Sequence, residues 1–183
     1  MVGLENMKQI KDLTGHNVWC ISDVHFRHTN IIRYTSRPFN NVNEMDETMF
    51  NNWNDTISDD DTVLFLGDFV IGSSKLGMEK GEASKLIYDN LNGKEKIFIR
   101  GNHDTGVTTI PYHPNPTMVI SYNGVTFTLS HHPLEIFTTD YLLHGHIHNS
   151  PHPIRQNKKA FNCGVEDLNY KPINLNDVLK ILQ

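Results

Sequence analysis

The chain has 183 residues, 38% of them hydrophobic, with a formal charge of −5 and a pI near 6.1. That length suits one domain over 1–183 with a self-sufficient core, and the acidity argues against sequence-independent gripping of long nucleic acid. No apolar run reaches membrane-spanning length and no basic-then-apolar export signal opens the chain, so a cytoplasmic protein without a membrane partner is expected.

Residues 17–22, NVWCIS, predict a strand ending near Ser22, and the polar DVHFRH follows at once. TNIIRYTSRPF predicts a short helix from about Thr29, stopped by Pro38. Over 43–57, Met45, Met49, Phe50, Trp53 and Ile57 recur at helical spacing and mark an amphipathic helix facing the core. A second strand is expected at 62–66, running into Gly67-Asp68. A helix over 78–91 follows, with Leu86, Ile87 and Leu91 inward. A third strand, 96–99, ends in Gly101-Asn102-His103-Asp104. Beyond a proline-rich loop at 111–116, two apolar runs flank Asn123-Gly124, the signature of a two-residue hairpin turn. YLLHGHIH and AFNCGV add strands, and NLNDVLKILQ closes as an amphipathic helix capped by Asn174 or Asn176. Cys20 and Cys163 lie in apolar runs and read as reduced core thiols. Strands alternate with helices early and hairpins dominate late, so the fold class is α/β with a mixed sheet.

Five of these strands end in polar clusters: Asp23-x-His25, Gly67-Asp68, Gly101-Asn102-His103-Asp104, His131, and Gly145-His146-x-His148. Ligand sites of α/β sheets form beyond the carboxyl ends of strands, which lets Asp23, His25, Asp68, Asn102, His131, His146 and His148 converge. Oxygen and nitrogen donors without thiolate suit Mn²⁺, Fe or Zn²⁺ better than Ca²⁺ or an iron–sulfur cluster. So many side chains exceed the needs of one four-coordinate ion. They fit two ions sharing one carboxylate, and Asp68, alone after its glycine, is the natural bridge. Two ions about 3.5–4 Å apart would clamp a phosphoryl group and activate a bridging water as hydroxide.

The other histidines are less informative. His28 is evenly balanced between pocket and surface. His132 and His144 adjoin candidate ligands and, in extended chain, point away from them. His113 reads as a solvated loop residue, and His16 and His152 as surface. Arg100 is expected in a structural ion pair. Asp59, Asp60 and Asp61 read as a solvated turn, since no calcium-loop spacing surrounds them.

The order D-x-H, G-D, G-N-H-D, H, G-H-x-H resembles that of the calcineurin-like metallophosphoesterases, most closely their small stand-alone bacterial and phage members. The likeness extends to ISDVHFRHTNIIRYTSRPF, the Met45–Trp53 helix and FNCGVEDLNYKP, and so covers most of 18–173. It implies two facing mixed β-sheets flanked by α-helices, in a metal-dependent phosphatase or phosphodiesterase. It implies two divalent or transition-metal ions, with Mn favoured over Fe, Ni or Zn. One ion would take Asp23, His25, Asp68 and His148; the other would take Asp68, Asn102, His131 and His146. By the same resemblance, Asn102 and His103 would contact the phosphate, and His103 would donate a proton to the leaving oxygen.

Many phosphatases of that family carry a second aspartate and an arginine soon after the G-D. Here Ile71 and Gly72 stand in their place. Asp104 or a backbone carbonyl is left to orient His103. Arg27, Arg33 or Arg37 is left to supply positive charge, with His28 as a further substrate contact. Arg37 reads equally well as the partner of an acid across its loop. These departures disfavour a phosphoprotein substrate. The expected substrate is a small phosphomonoester or phosphodiester, nucleotides included, and the oligomeric state is not legible. A nuclease is the competing reading. A non-catalytic scaffold on the same fold is weaker, because no ligand or catalytic histidine is replaced.

Overall fold

The computed structural model describes residues 10–72 and 77–183. In chain order the elements are β1 (Lys11–Asp12), β2 (Val18–Ile21), α1 (Thr29–Tyr34), α2 (Val42–Thr56), β3 (Thr62–Phe65), α3 (Lys80–Asp89) and β4 (Glu95–Phe98). They continue with β5 (Thr117–Tyr122), β6 (Val125–Ser130), β7 (Tyr141–His144), β8 (Ala160–Asn162), β9 (Ile173–Asn174) and α4 (Leu175–Leu182). They form two mixed sheets, ordered β4-β3-β2-β9 and β1-β5-β6-β7-β8.

The central strands are buried on both faces, which is why their sequences run apolar without polar alternation. Period two still sorts their side chains. Val18, Cys20, Leu64 and Leu66 face a core shared with Ile120, Phe127, Leu129 and Leu143 of the second sheet. Ile21, Val63 and Phe65 face the opposite way, against Met45, Met49 and Trp53 of α2. Burying each such side chain contributes roughly 1.5–3 kcal/mol. Cys20 and Cys163 are buried free thiols, as expected.

Register carries this packing to the functional end. Ile21 lies opposite Phe65, and Phe65 opposite Phe98, in a parallel array. The chain therefore leaves β2, β3 and β4 at one level, and Asp23, Asp68 and Asn102 come from adjacent exits. Leu129 opposite Leu143, also parallel, brings the exits of β6 and β7 to the same end of the second sheet.

The hairpin turn forms as predicted: Asn123 and Gly124 both have positive φ, 49° and 82°. Asn174 is the cap of α4, accepting from the Asn176 amide. The predicted helix reaching toward Pro38 ends instead at Tyr34. Ser36 turns left-handed at φ 54°, and the residue before proline disfavours helix. α3 is shorter than 78–91 and presents Ala83 and Ser84 inward, while Leu86, expected inward, is exposed. Among the described residues, no helix is long and apolar enough to cross a membrane.

Candidate metal centre

The backbone at the strand exits is unusual. Asp23, His25, Asp68, His146 and His148 all have left-handed φ, between 47° and 71°. Non-glycine residues in that region carry strain that the surroundings must hold, and such residues cluster at functional sites. Glycines make room for the close approach. A Cβ on Gly101 would collide with the Asp68 carboxylate, and one on Gly145 would collide with Ser22 and the Asp23 carboxylate.

The side chains converge. Asp68 Oδ2 lies 3.5 Å from His25 Nε2 and 3.4 Å from His131 Nε2. Two donors about 2.1 Å from one cation, at a tetrahedral angle, stand about 3.4 Å apart. Asn102 Oδ1 is 2.9 Å from His131 Nε2 and 3.0 Å from His146 Nδ1. One ligand atom each of Asp23, His25 and His148 lies within 4.8 Å of the others, as does one each of Asp23, Asp68 and His131. His25 is 1% exposed, and neither of its ring nitrogens has a hydrogen-bond partner. Buried polar atoms are almost always paired, so this imidazole is shaped for a partner of another kind. The residues present fit divalent cations.

Electrostatics agree. Burial pushes the Asp23 carboxyl up to about 6, partly offset by His131 and His148. Burial opposes charge on Asp68 too, but the His131 hydrogen bond and the nearby imidazoles outweigh it. Asp68 is held well below the usual carboxylate range. Burial drives His25 far below the ordinary imidazole value, which keeps it in the neutral form that ligates. His146 is pushed down to about 4, first by burial and then by His132 and His131.

The structure overturns some expectations and meets others. Asp104, expected as an alternative to a backbone carbonyl in orienting His103, is fully buried, and its carboxylate is taken up by backbone amides. Its Oδ2 accepts from the Asp68 and Gly101 amides (2.8 Å each), and its Oδ1 from the Phe69 amide (2.9 Å). It ties the Gly67-Asp68 exit to the Gly101 turn. Arg37, expected to contact substrate or to pair with an acid, does the second. It is 4% exposed, bonded to the carbonyls of Asp23 (2.7 Å) and Val24 (2.9 Å), and paired with Glu166 at 2.7 Å. Arg27 bonds the Met78 carbonyl at 3.1 Å and lines a separate cavity of about 450 Å³ with Asp46 and Phe50. Among the described residues, Arg100 has no ion-pair partner. It bonds the carbonyls of Asp104 and Val107 and stacks 4.1 Å from the Tyr112 ring centroid. His132 joins the cluster, its ring 4.2 Å from that of His146, because β6 stops at Ser130 and strand alternation no longer applies. His144 is buried against the Gly145 carbonyl, and His113 makes a local contact with Asn115.

The cleft over the cluster holds about 480 Å³ and is lined by His25, His28, His103, His146 and His148 together with Tyr34. His103 donates its backbone amide to Asp68 Oδ1 at 2.8 Å, and its exposed ring lies edge-on to His25 at 5.4 Å. Sequence reasoning missed Glu166, whose Oε1 lies 3.0 Å from His148 Nδ1. No spacing pattern links it to His148 or Arg37.

A two-sheet α/β scaffold with carboxylates, an asparagine and imidazoles gathered at its strand exits is the architecture of a metal-dependent phosphoesterase. A sequence model of the calcineurin-like phosphoesterases matches residues 16–167, and the chain belongs to that family. It is 38% identical over 178 residues to the uncharacterized protein MJ1445 of Methanocaldococcus jannaschii, covering 93% of this chain and 94% of that one. It is 33% identical over 88 residues to the gene 66 protein of Mycobacterium phage L5, covering 48% of this chain and 40% of that one. The crystal structure of AQ665, a protein of unknown function from Aquifex aeolicus, superposes with a TM-score of 0.72 at 25% identity. That match covers 90% of this chain and 98% of AQ665.

Proposed function

We propose that this chain is a dinuclear phosphoesterase that hydrolyses small phosphomonoesters or phosphodiesters in the cytoplasm, with 1–183 as one catalytic unit. Asp23, His25, Asp68 and His148 would hold one cation, and Asp68, Asn102, His131 and His146 the other. The observation that carries this reading is the position of Asp68 Oδ2, nearly equidistant from His25 Nε2 and His131 Nε2. A cation on each side would share that carboxylate. The mixed oxygen and imidazole donors favour Mn²⁺. Bound cations supply Lewis-acid stabilisation of charge on the phosphoryl oxygens and an activated water as nucleophile.

The chain's own groups do the rest. Asp104 fixes the Asp68 backbone through its amide, and the His103 amide fixes Asp68 Oδ1. The His103 ring, at the cleft mouth, donates a proton to the departing oxygen. The Asn102 side chain and the His28 ring border the place where phosphate sits. A Mn²⁺-supplemented screen of aryl phosphate monoesters and diesters, then nucleotides, tests this reading, with Asp68→Asn as the blank. Turnover is expected in the wild-type protein and a loss of about 10³-fold or more in Asp68→Asn and His103→Ala. Equal turnover in Asp68→Asn would contradict it.

A further inference from the structure

The cleft has a second half. Beyond the imidazoles, its walls are α1 and its C-cap, through Ile31, Tyr34 and Thr35, and the segment Ile147–Ser150. Tyr34 is 64% exposed, and among the phenylalanines, tryptophans and tyrosines of the described residues it is the one with more than about a third of its surface in solvent. Its ring stands T-shaped to His28 at 6.2 Å, and His28 stands 6.3 Å from His103. A continuous run of flat rings thus leads from the reacting centre to the rim.

Several polar atoms of that rim are already engaged within the protein. Thr35 Oγ1 bonds the Ile31 carbonyl at 2.9 Å, Asn149 Nδ2 bonds the Thr35 carbonyl at 2.9 Å, and Ser150 Oγ bonds the Ile147 carbonyl at 2.5 Å. Those three atoms are not free to hold a sugar or amino-acid moiety. A flat ring would find an exposed ring, with the Arg33 guanidinium 5.7 Å from the Tyr34 centroid lending positive charge to the same rim. Stacking on an aromatic side chain is tolerant of which base is stacked.

We propose that Tyr34, backed by His28, is a stacking subsite for a nucleobase, so that the preferred substrates are nucleoside phosphate esters with little discrimination among bases. The proposal rests on the phosphoesterase reading. A phosphoryl group at the imidazole cluster would leave the base on the Tyr34 side of the same cleft.

The test is calorimetric binding to the Mn²⁺-loaded full chain. The ligands are adenosine, cytidine and ribose 5′-methylenephosphonates, whose P–C bond is not hydrolysed. The wild-type protein is expected to bind both nucleoside ligands about 10-fold or more tighter than the ribose ligand, with adenosine and cytidine within roughly threefold of each other. Tyr34→Ala should collapse that ratio toward one, and Tyr34→Phe should retain it. A wild-type ratio near one, or a ratio unmoved in Tyr34→Ala, overturns the stacking subsite while leaving the phosphoesterase reading intact. If neither the ribose ligand nor inorganic phosphate binds the loaded protein, both readings fail together.

Discussion

His148 Nδ1 lies 3.0 Å from Glu166 Oε1, and that contact fixes which face of the imidazole is offered to the cleft. With Nδ1 donating to the carboxylate, Nε2 is left as the lone-pair donor. Glu166 is fixed in turn by Arg37, whose Nε and Nη2 reach it at 3.0 and 2.7 Å. Losing such an outer partner commonly weakens metal affinity by about 10–100-fold. Glu166→Gln is expected to fall in that range, read by competition with a chromophoric chelator. Unchanged affinity would show that His148 needs no such partner.

The same carboxylate sets an acid limit on stability. Burial opposes its ionisation, but His148 and Arg37 outweigh burial and bring Glu166 from 4.5 down to about 2. A lowered carboxyl adds stability that is complete above its unfolded value near 4.5 and is lost as pH falls toward 2. The contribution is on the order of 3 kcal/mol in the metal-free protein. Urea titrations in chelator should therefore show the stability gap between wild type and Glu166→Gln shrinking from pH 5 to pH 3. A gap independent of pH would contradict the assignment.

Asp104 is predicted to be structural. It accepts three backbone amides and is fully buried. Asp104→Ala leaves those donors unsatisfied at roughly 1–3 kcal/mol each, so a melting temperature lower by on the order of 10 °C is expected. If instead stability is kept and only turnover falls, Asp104 acts in the chemistry.

Much of this was legible in the sequence, and the reason is physical. Strands buried on both faces show as short apolar runs, and parallel register aligns their ends, so polar residues just past each run are forced together. That reasoning reached Asp23, His25, Asp68, Asn102, His131, His146 and His148. It did not reach Glu166, which lies 129 positions from Arg37 and meets it only through tertiary folding. It misplaced His132, because alternation holds only while the strand lasts. The strands β1 and β9, each of two residues, are too short to show any period.

Cation binding should stabilise the fold, since burial and the neighbouring Asp68 charge both raise the cost of ionising Asp23. At 100 times the dissociation constant, Mn²⁺ contributes about 2.7 kcal/mol, a rise on the order of 5–10 °C in melting temperature. Differential scanning fluorimetry should show that rise in the wild type and lose most of it in Asp68→Asn. Equal rises in both would place the ions elsewhere.

Anomalous diffraction from crystals soaked in manganese addresses the shared carboxylate most directly. Two peaks about 3.5–4 Å apart are expected, one on the His25 side of Asp68 Oδ2 and one on the His131 side. A single peak, or peaks that leave Asp68 uncoordinated, would contradict the account.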